Sequence, residues 1–128
     1  MSEHRIMVVD DSHVMYAEMK EMLEGSGIEI SCFCSSGEEA LEKYGEVKPE
    51  LVTMDIVMPG MDGMEAGEKL KERYPDAKLL MVSSMAYDNE VDRAVGMGAV
   101  GFIFKPFTKE TLLKSLENAF ETIGNRTE

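Results

Sequence analysis

Along this chain, short runs of apolar residues alternate with stretches in which apolar residues recur every three or four positions, and the alternation repeats five times. The first run, Ile6–Val9, has no polar member, as expected of a parallel strand covered on both faces. The next stretch puts Met15, Met19, Met22 and Leu23 on one helical stripe and Glu18, Glu21 and Glu24 off it, and Gly25 and Gly27 close it. The second run, Ile28–Cys34, alternates. Ile28, Ile30, Cys32 and Cys34 are expected on one face, with Glu29 and Ser31 on a wetter one, which makes this an edge strand. Ser36 and Glu39 have the spacing of a capping box opening the second helix. The third run is Leu51–Met54, and the helix after it is expected to start near Gly63 and stop before Pro75. The fourth run, Leu79–Val82, leads to a helix carrying Val91, Ala94 and Val95 and ending at Gly98. The fifth, Val100–Phe104, leads to a helix from about Thr108 with Leu112, Leu116, Ala119, Phe120 and Ile123 in phase and Gly124 as its stop.

Five strand–helix units imply one parallel sheet with helices on both faces and right-handed crossovers. With the second strand at an edge, the order 2-1-3-4-5 of flavodoxin-like, doubly wound α/β folds fits, with five strands and five helices.

Composition narrows the function. The 128 residues are expected to form one domain, residues 1–128. No apolar run reaches the length of a membrane span, and the first residues lack the charged-then-apolar pattern of a signal peptide, so a cytoplasmic location is expected. A formal charge of −12, from 25 acidic and 13 basic residues, repels nucleic-acid phosphates and argues against direct DNA or RNA binding. Cys32 and Cys34 should share a face without easy disulfide geometry and act as small buried apolar residues. The 12 methionines are expected mainly as core filler, some lining an adaptable contact surface.

Polar residues stand at the ends of four strands: Asp10, Asp11 and Ser12 after the first, Asp55 after the third, Ser83 and Ser84 after the fourth, and Lys105 after the fifth. In a parallel sheet these points meet at the carboxyl edge, where open α/β sheets bind ligands. Three carboxylates in one cleft repel one another unless a cation sits among them. An all-oxygen site with few protein ligands suits Mg²⁺. Lys105 supplies a compact positive charge for a phosphoryl oxygen and Ser83 a hydroxyl donor, so the set suits phosphoryl transfer to a carboxylate. Singly, each residue has a plainer reading: a helix cap for an Asp or for Ser83, a solvated chain end for Lys105. Their joint placement at strand ends is what points to a site.

The motifs MVVDDS (Met7–Ser12), VTMDIVMPGMDG (Val52–Gly63), MVSS (Met81–Ser84) and FIFKPF (Phe102–Phe107) resemble those of the receiver domain of two-component response regulators, in particular the single-domain, CheY-like chemotaxis type, over essentially the whole chain. The resemblance implies that Asp55 is the phosphoacceptor. It implies that Asp11 binds Mg²⁺ directly, Asp10 often through water, with Asp55 and the backbone carbonyl of Val57 as further ligands. Ser83 then meets the phosphoryl group, Lys105 pairs with it, the Lys105–Pro106 bond is cis, and Phe102 is the switch aromatic. A sensor histidine kinase is the implied donor, and a downstream protein the target. The implied target surface is the fourth helix, fifth strand and fifth helix around Val95, Ala99, Val100 and Phe102. Chemotaxis is the implied pathway, and the domain turns over no separate substrate. Val57 and Met85 are apolar where polar residues in the family orient water and tune dephosphorylation. An aspartyl-nucleophile phosphatase would need a second Asp where Val57 stands, and a flavin phosphate would be repelled by Asp10-Asp11-Ser12. The last helix lacks an arginine among residues 108–123, which argues against a salt-bridged dimer face, and no effector unit is expected after it, whether the regulator stands alone or is a piece of a longer one.

Overall fold

The computed structural model describes residues 3–84 and 88–125. Its elements are β1 (His4–Val9), α1 (His13–Met22), β2 (Ile28–Cys34), α2 (Gly37–Val47), β3 (Leu51–Asp55), α3 (Gly63–Arg73), β4 (Leu79–Ser83), α4 (Asp88–Gly96), β5 (Gly101–Phe104) and α5 (Lys109–Asn125). The five strands form one parallel sheet in the order β2-β1-β3-β4-β5, as the run pattern implied.

The continuous apolar runs are explained by two cores, one on each face of the sheet. Met7, Val9, Val52, Met54, Leu79 and Met81 point to one face, which Ala40 and Leu41 of α2, Leu70 of α3 and Ala94 of α4 cover. Ile6, Val8, Leu51, Leu80, Val82 and Ile103 point to the other, covered by Met19 of α1 and by Leu112, Leu116 and Ala119 of α5. Successive strand residues serve opposite faces, so the central strands are almost wholly apolar, with Thr53 inside β3 and Asp55 and Ser83 at the ends of β3 and β4 as their polar members.

β2 corrects the sequence reading. Ile6 pairs with Ile30 but Met7 pairs with Cys32, so Ser31 is an extra residue. A bulge reverses the side-chain parity beyond it. Ile28 and Ile30 therefore join the α1/α5 core, while Cys32 and Cys34 join the opposite one. The Ser31 hydroxyl donates to the Ile6 carbonyl at 3.1 Å. Phe33, returned to the α1 face, stacks on Tyr16 at 4.4 Å. The two thiols do share a face and are free, with sulfurs 3.9 Å apart. Burial and the adjacent Cys32 push the Cys34 thiol well above its ordinary range, as an inert buried residue requires.

The helix signals hold with small shifts. Ser12 caps α1 by accepting from Met15 N–H (3.1 Å), and Asp62 caps α3 by accepting from Glu65 N–H (2.8 Å). Ser36 accepts from Glu39 N–H at 3.1 Å, but the Glu39 carboxylate takes the Ser35 N–H, one residue before the cap. α4 ends at Gly96, and the chain reverses at Gly98 (φ 86), where Gly98 N–H donates to Val95 O and Ala99 N–H to Ala94 O. α5 runs through Gly124 to Asn125 without stopping there. Among the described residues no helix is long and apolar enough to cross a membrane.

Thr53 on β3 is buried, and its hydroxyl is the one buried side-chain polar atom without a hydrogen-bond partner among the described residues. Thr53→Val replaces that hydroxyl by a methyl of similar shape. It is expected to stabilise the domain by about 1 kcal/mol, read as a higher urea midpoint at unchanged slope.

Candidate functional site

The carboxyl edge of the sheet gathers the strand-end groups. Asp10 leaves β1 still tied to β2, its N–H donating to Cys34 O at 3.0 Å. The residue is 3% exposed. One oxygen accepts from Ser12 N–H (2.9 Å) and the other from Lys105 Nζ (2.8 Å). Asp55 ends β3 in the middle of the sheet, 5% exposed, with Lys105 Nζ 3.4 Å from Oδ1. Asp11 is exposed at the rim. One carboxylate oxygen from each of Asp10, Asp11 and Asp55 lies within 4.8 Å of the others, so the three could hold a metal ion.

The electrostatics follow from this crowding. Burial, then the charge of Asp10, push the Asp55 carboxyl up to about 6, and Lys105 offsets them only in part. Burial also opposes the charge of Lys105, but its bonds to Asp10 and Asp55 hold the ammonium above its usual value. The cluster thus carries more negative charge than one lysine balances. That excess, with oxygen-only donors, suits a small hard cation that keeps most of its waters.

Ser83 ends β4 and is buried, its main-chain carbonyl accepting from Lys105 N–H (2.7 Å). Its hydroxyl donates to Glu90 of α4 at 3.4 Å. The Lys105–Pro106 peptide is cis. Phe102 is half-buried against the core, its ring 5.0 Å from that of Phe104, which is 43% exposed. Val57 is 63% exposed and Val95 71% exposed, so neither side chain packs inward. Met85 lies outside the described residues.

Sequence reasoning missed two neighbours of the site. Gly63 begins α3 so close to β3 that a Cβ there would overlap the Asp55 carbonyl oxygen. Glu90 meets Ser83; its signal was an acid four residues before Ala94 and seven before Met97, on the inward stripe of α4. A groove of about 940 Å³ lies away from these groups, between α1 and the start of β2, lined by Tyr16, Lys20, Leu23 and Ile28.

An order 2-1-3-4-5 parallel sheet whose carboxyl edge joins three acids to a lysine and a buried hydroxyl defines a class of α/β signalling domain. The chain belongs to the response regulator receiver domain family, whose model matches residues 6–117. It is 40% identical over 115 residues to the chemotaxis protein CheY of Listeria monocytogenes, covering 90% of this chain and 97% of that protein. It is 38% identical over 112 residues to CheY of Thermotoga maritima, covering 88% and 93%. A Borrelia burgdorferi structure, a CheX–CheY complex with beryllium trifluoride and Mg²⁺, superposes with a TM-score of 0.88 at 28% identity over 93% of this chain and 90% of that one. CheY-type receiver domains are phosphoacceptor switches of two-component signalling, not enzymes with a separate substrate.

Proposed function

We propose that this chain is a switch that takes a phosphoryl group from a sensor histidine kinase onto Asp55 and signals to a downstream protein in the cytoplasm, in a chemotaxis-type pathway. The observation that carries the reading is the lysine bridge: Lys105 touches both Asp10 and Asp55 at the mouth of the sheet. In this reading Asp55 attacks phosphorus, and Lys105 and Ser83 neutralise and hydrogen-bond the transferred oxygens. Asp10, Asp11, Asp55 and the Val57 carbonyl would hold Mg²⁺, which supplies charge neutralisation for the phosphoryl oxygens. Once Ser83 is drawn to the phosphoryl group, Phe102 turns inward. The surface of α4, β5 and α5 then takes a second form, with Val95, Ala99, Val100 and the exposed Phe104 around Phe102.

The test is direct. A small phosphodonor with Mg²⁺ should give one labile adduct by intact mass, and none with the metal chelated. Metal titration of Asp11→Asn should show binding weaker by about tenfold or more, since losing even a group that only orients a metal ligand costs that much. Equal binding would move the metal elsewhere.

Val57 bears on lifetime. Its exposed, apolar side chain cannot hold an attacking water by hydrogen bonds. Val57→Asn should shorten the half-life of the adduct several-fold, as expected for one added water-orienting group. An unchanged or longer half-life would show that water is placed by other groups.

A further inference from the structure

The strongest unexplained feature is a carboxylate on the wrong side of α4. Ala94 is 2% exposed and Met97 packs against the same core, so the stripe at 90, 94 and 97 faces inward. An apolar residue is the ordinary occupant of such a position, yet Glu90 stands there, half-buried. A carboxylate so placed needs a donor, and Ser83 provides one at 3.4 Å. The helix is held in that pose from its other flank. Arg93 reaches α3 and grips Glu68 with two bonds, Nε to Oε2 at 3.0 Å and Nη2 to Oε1 at 2.6 Å.

We infer that Glu90 is a positioning residue that holds the switch in its unphosphorylated form, by competing with the phosphoryl group for the Ser83 hydroxyl and by opposing its charge. The inference rests on the proposed role of Ser83 at the phosphoryl group.

Two physical effects act in the same direction. A serine hydroxyl has one proton to donate. While it points to Glu90 it is withheld from an acceptor on Asp55, so phosphorylation must first break the Ser83–Glu90 bond. The bond is long and correspondingly weak, which keeps the latch reversible. The second effect is Coulombic. A phosphoryl group adds negative charge beside Asp55, and Ser83 ends the strand adjacent to β3. Glu90, one hydrogen bond beyond the buried Ser83, therefore meets a like charge. Phosphorylation releases the Ser83 contact and repels the helix that carries Glu90. α4 can then shift about Ala94, its fully buried anchor among the described residues, with the Arg93–Glu68 pair still holding its other flank.

Titration with beryllium trifluoride and Mg²⁺, followed by amide chemical shifts, separates the two effects. Glu90→Gln keeps an acceptor and loses the charge, whereas Glu90→Ala loses both. The mimic should bind about threefold tighter to Glu90→Gln and roughly tenfold tighter to Glu90→Ala than to the unaltered protein. In a Ser83→Ala background the two variants should bind it equally, because only the charge effect survives. Without the mimic, the Ala94 amide of Glu90→Ala should already move toward its mimic-bound position. If both Glu90 variants bind within twofold of the unaltered protein while Ser83→Ala weakens the mimic, the inference fails and the role of Ser83 stands. If Glu90→Ala keeps its full advantage over Glu90→Gln without the serine, competition for the hydroxyl is refuted. If Ser83→Ala binds the mimic as tightly as the unaltered protein, the reading of Ser83 itself is wrong and the latch falls with it.

Discussion

Asp55→Asn is expected to carry no labile phosphoryl adduct under conditions that label the unaltered protein fully and, without metal, to be the more stable of the two at pH 7. The first half follows from chemistry: an amide has no carboxylate oxygen to attack phosphorus, and Asp10 is already committed to Lys105 and Ser12. The second half follows from the cleft. The Asp55 carboxyl is raised to about 6, first by burial and then by Asp10. Below the pH at which an unfolded Asp titrates, both states hold the proton and nothing is lost. Between there and about 6 the native state keeps a proton that the unfolded chain has released, so stability falls as pH rises. Above about 6 the loss is complete, at most about 3 kcal/mol for a two-unit displacement. Asparagine does not titrate, so the gap between the proteins should open from about pH 4 to pH 6 and stay constant above it. Urea unfolding in chelator across that range measures it. A gap that shrinks on raising the pH would contradict the burial argument. An adduct of equal yield on the variant would remove Asp55 from its proposed role.

Gly63→Ala is expected to destabilise the fold by about 3–5 kcal/mol, near the limit for a single small-to-large change. The conformation at Gly63 is not the reason, since its φ is not in the left-handed region. Space is the reason. A Cβ would overlap the Asp55 carbonyl oxygen and sit 2.7 Å from the Asp55 carbonyl carbon and 2.8 Å from Ile56 Cα. All three are backbone, and that backbone is fixed by Ile56 N–H to Val82 O (2.9 Å) and Gly63 N–H to Ile56 O (2.8 Å). No side chain can rotate away to make room. Gly96→Ala is the matched control: nothing lies within 4 Å of a Cβ there, and a helical alanine should be neutral or stabilising. A Gly63→Ala protein that unfolds at the same urea concentration as Gly96→Ala would refute the close-approach account. Because the overlap falls on Asp55 itself, the residual folded protein should also label poorly.

What the sequence could determine was whatever periodicity and strand ends encode. Ile6–Val9, Leu51–Met54 and Leu79–Val82 read as buried parallel strands because both faces are covered, and so they are. Asp10, Asp11, Asp55, Ser83 and Lys105 could be assigned to one edge because in a parallel sheet every strand ends on the same side. That argument needs no distances. Tertiary structure decided the rest. One inserted residue, Ser31, turned Cys32 and Cys34 to the opposite core from Ile28 and Ile30, and no period-2 pattern shows which residue a bulge will swallow. Val95 fell on the solvent side of α4 although it is apolar, because Ala94 and Met97 take the inward positions of that segment. The lysine's preference for Asp10 at 2.8 Å over Asp55 at 3.4 Å is a difference of less than an ångström between groups far apart in the chain, and the raised Asp55 carboxyl and the Ser83–Glu90 bond depend on placements as fine. Such differences are set by how helices seat on the sheet, and a one-dimensional pattern carries no record of them.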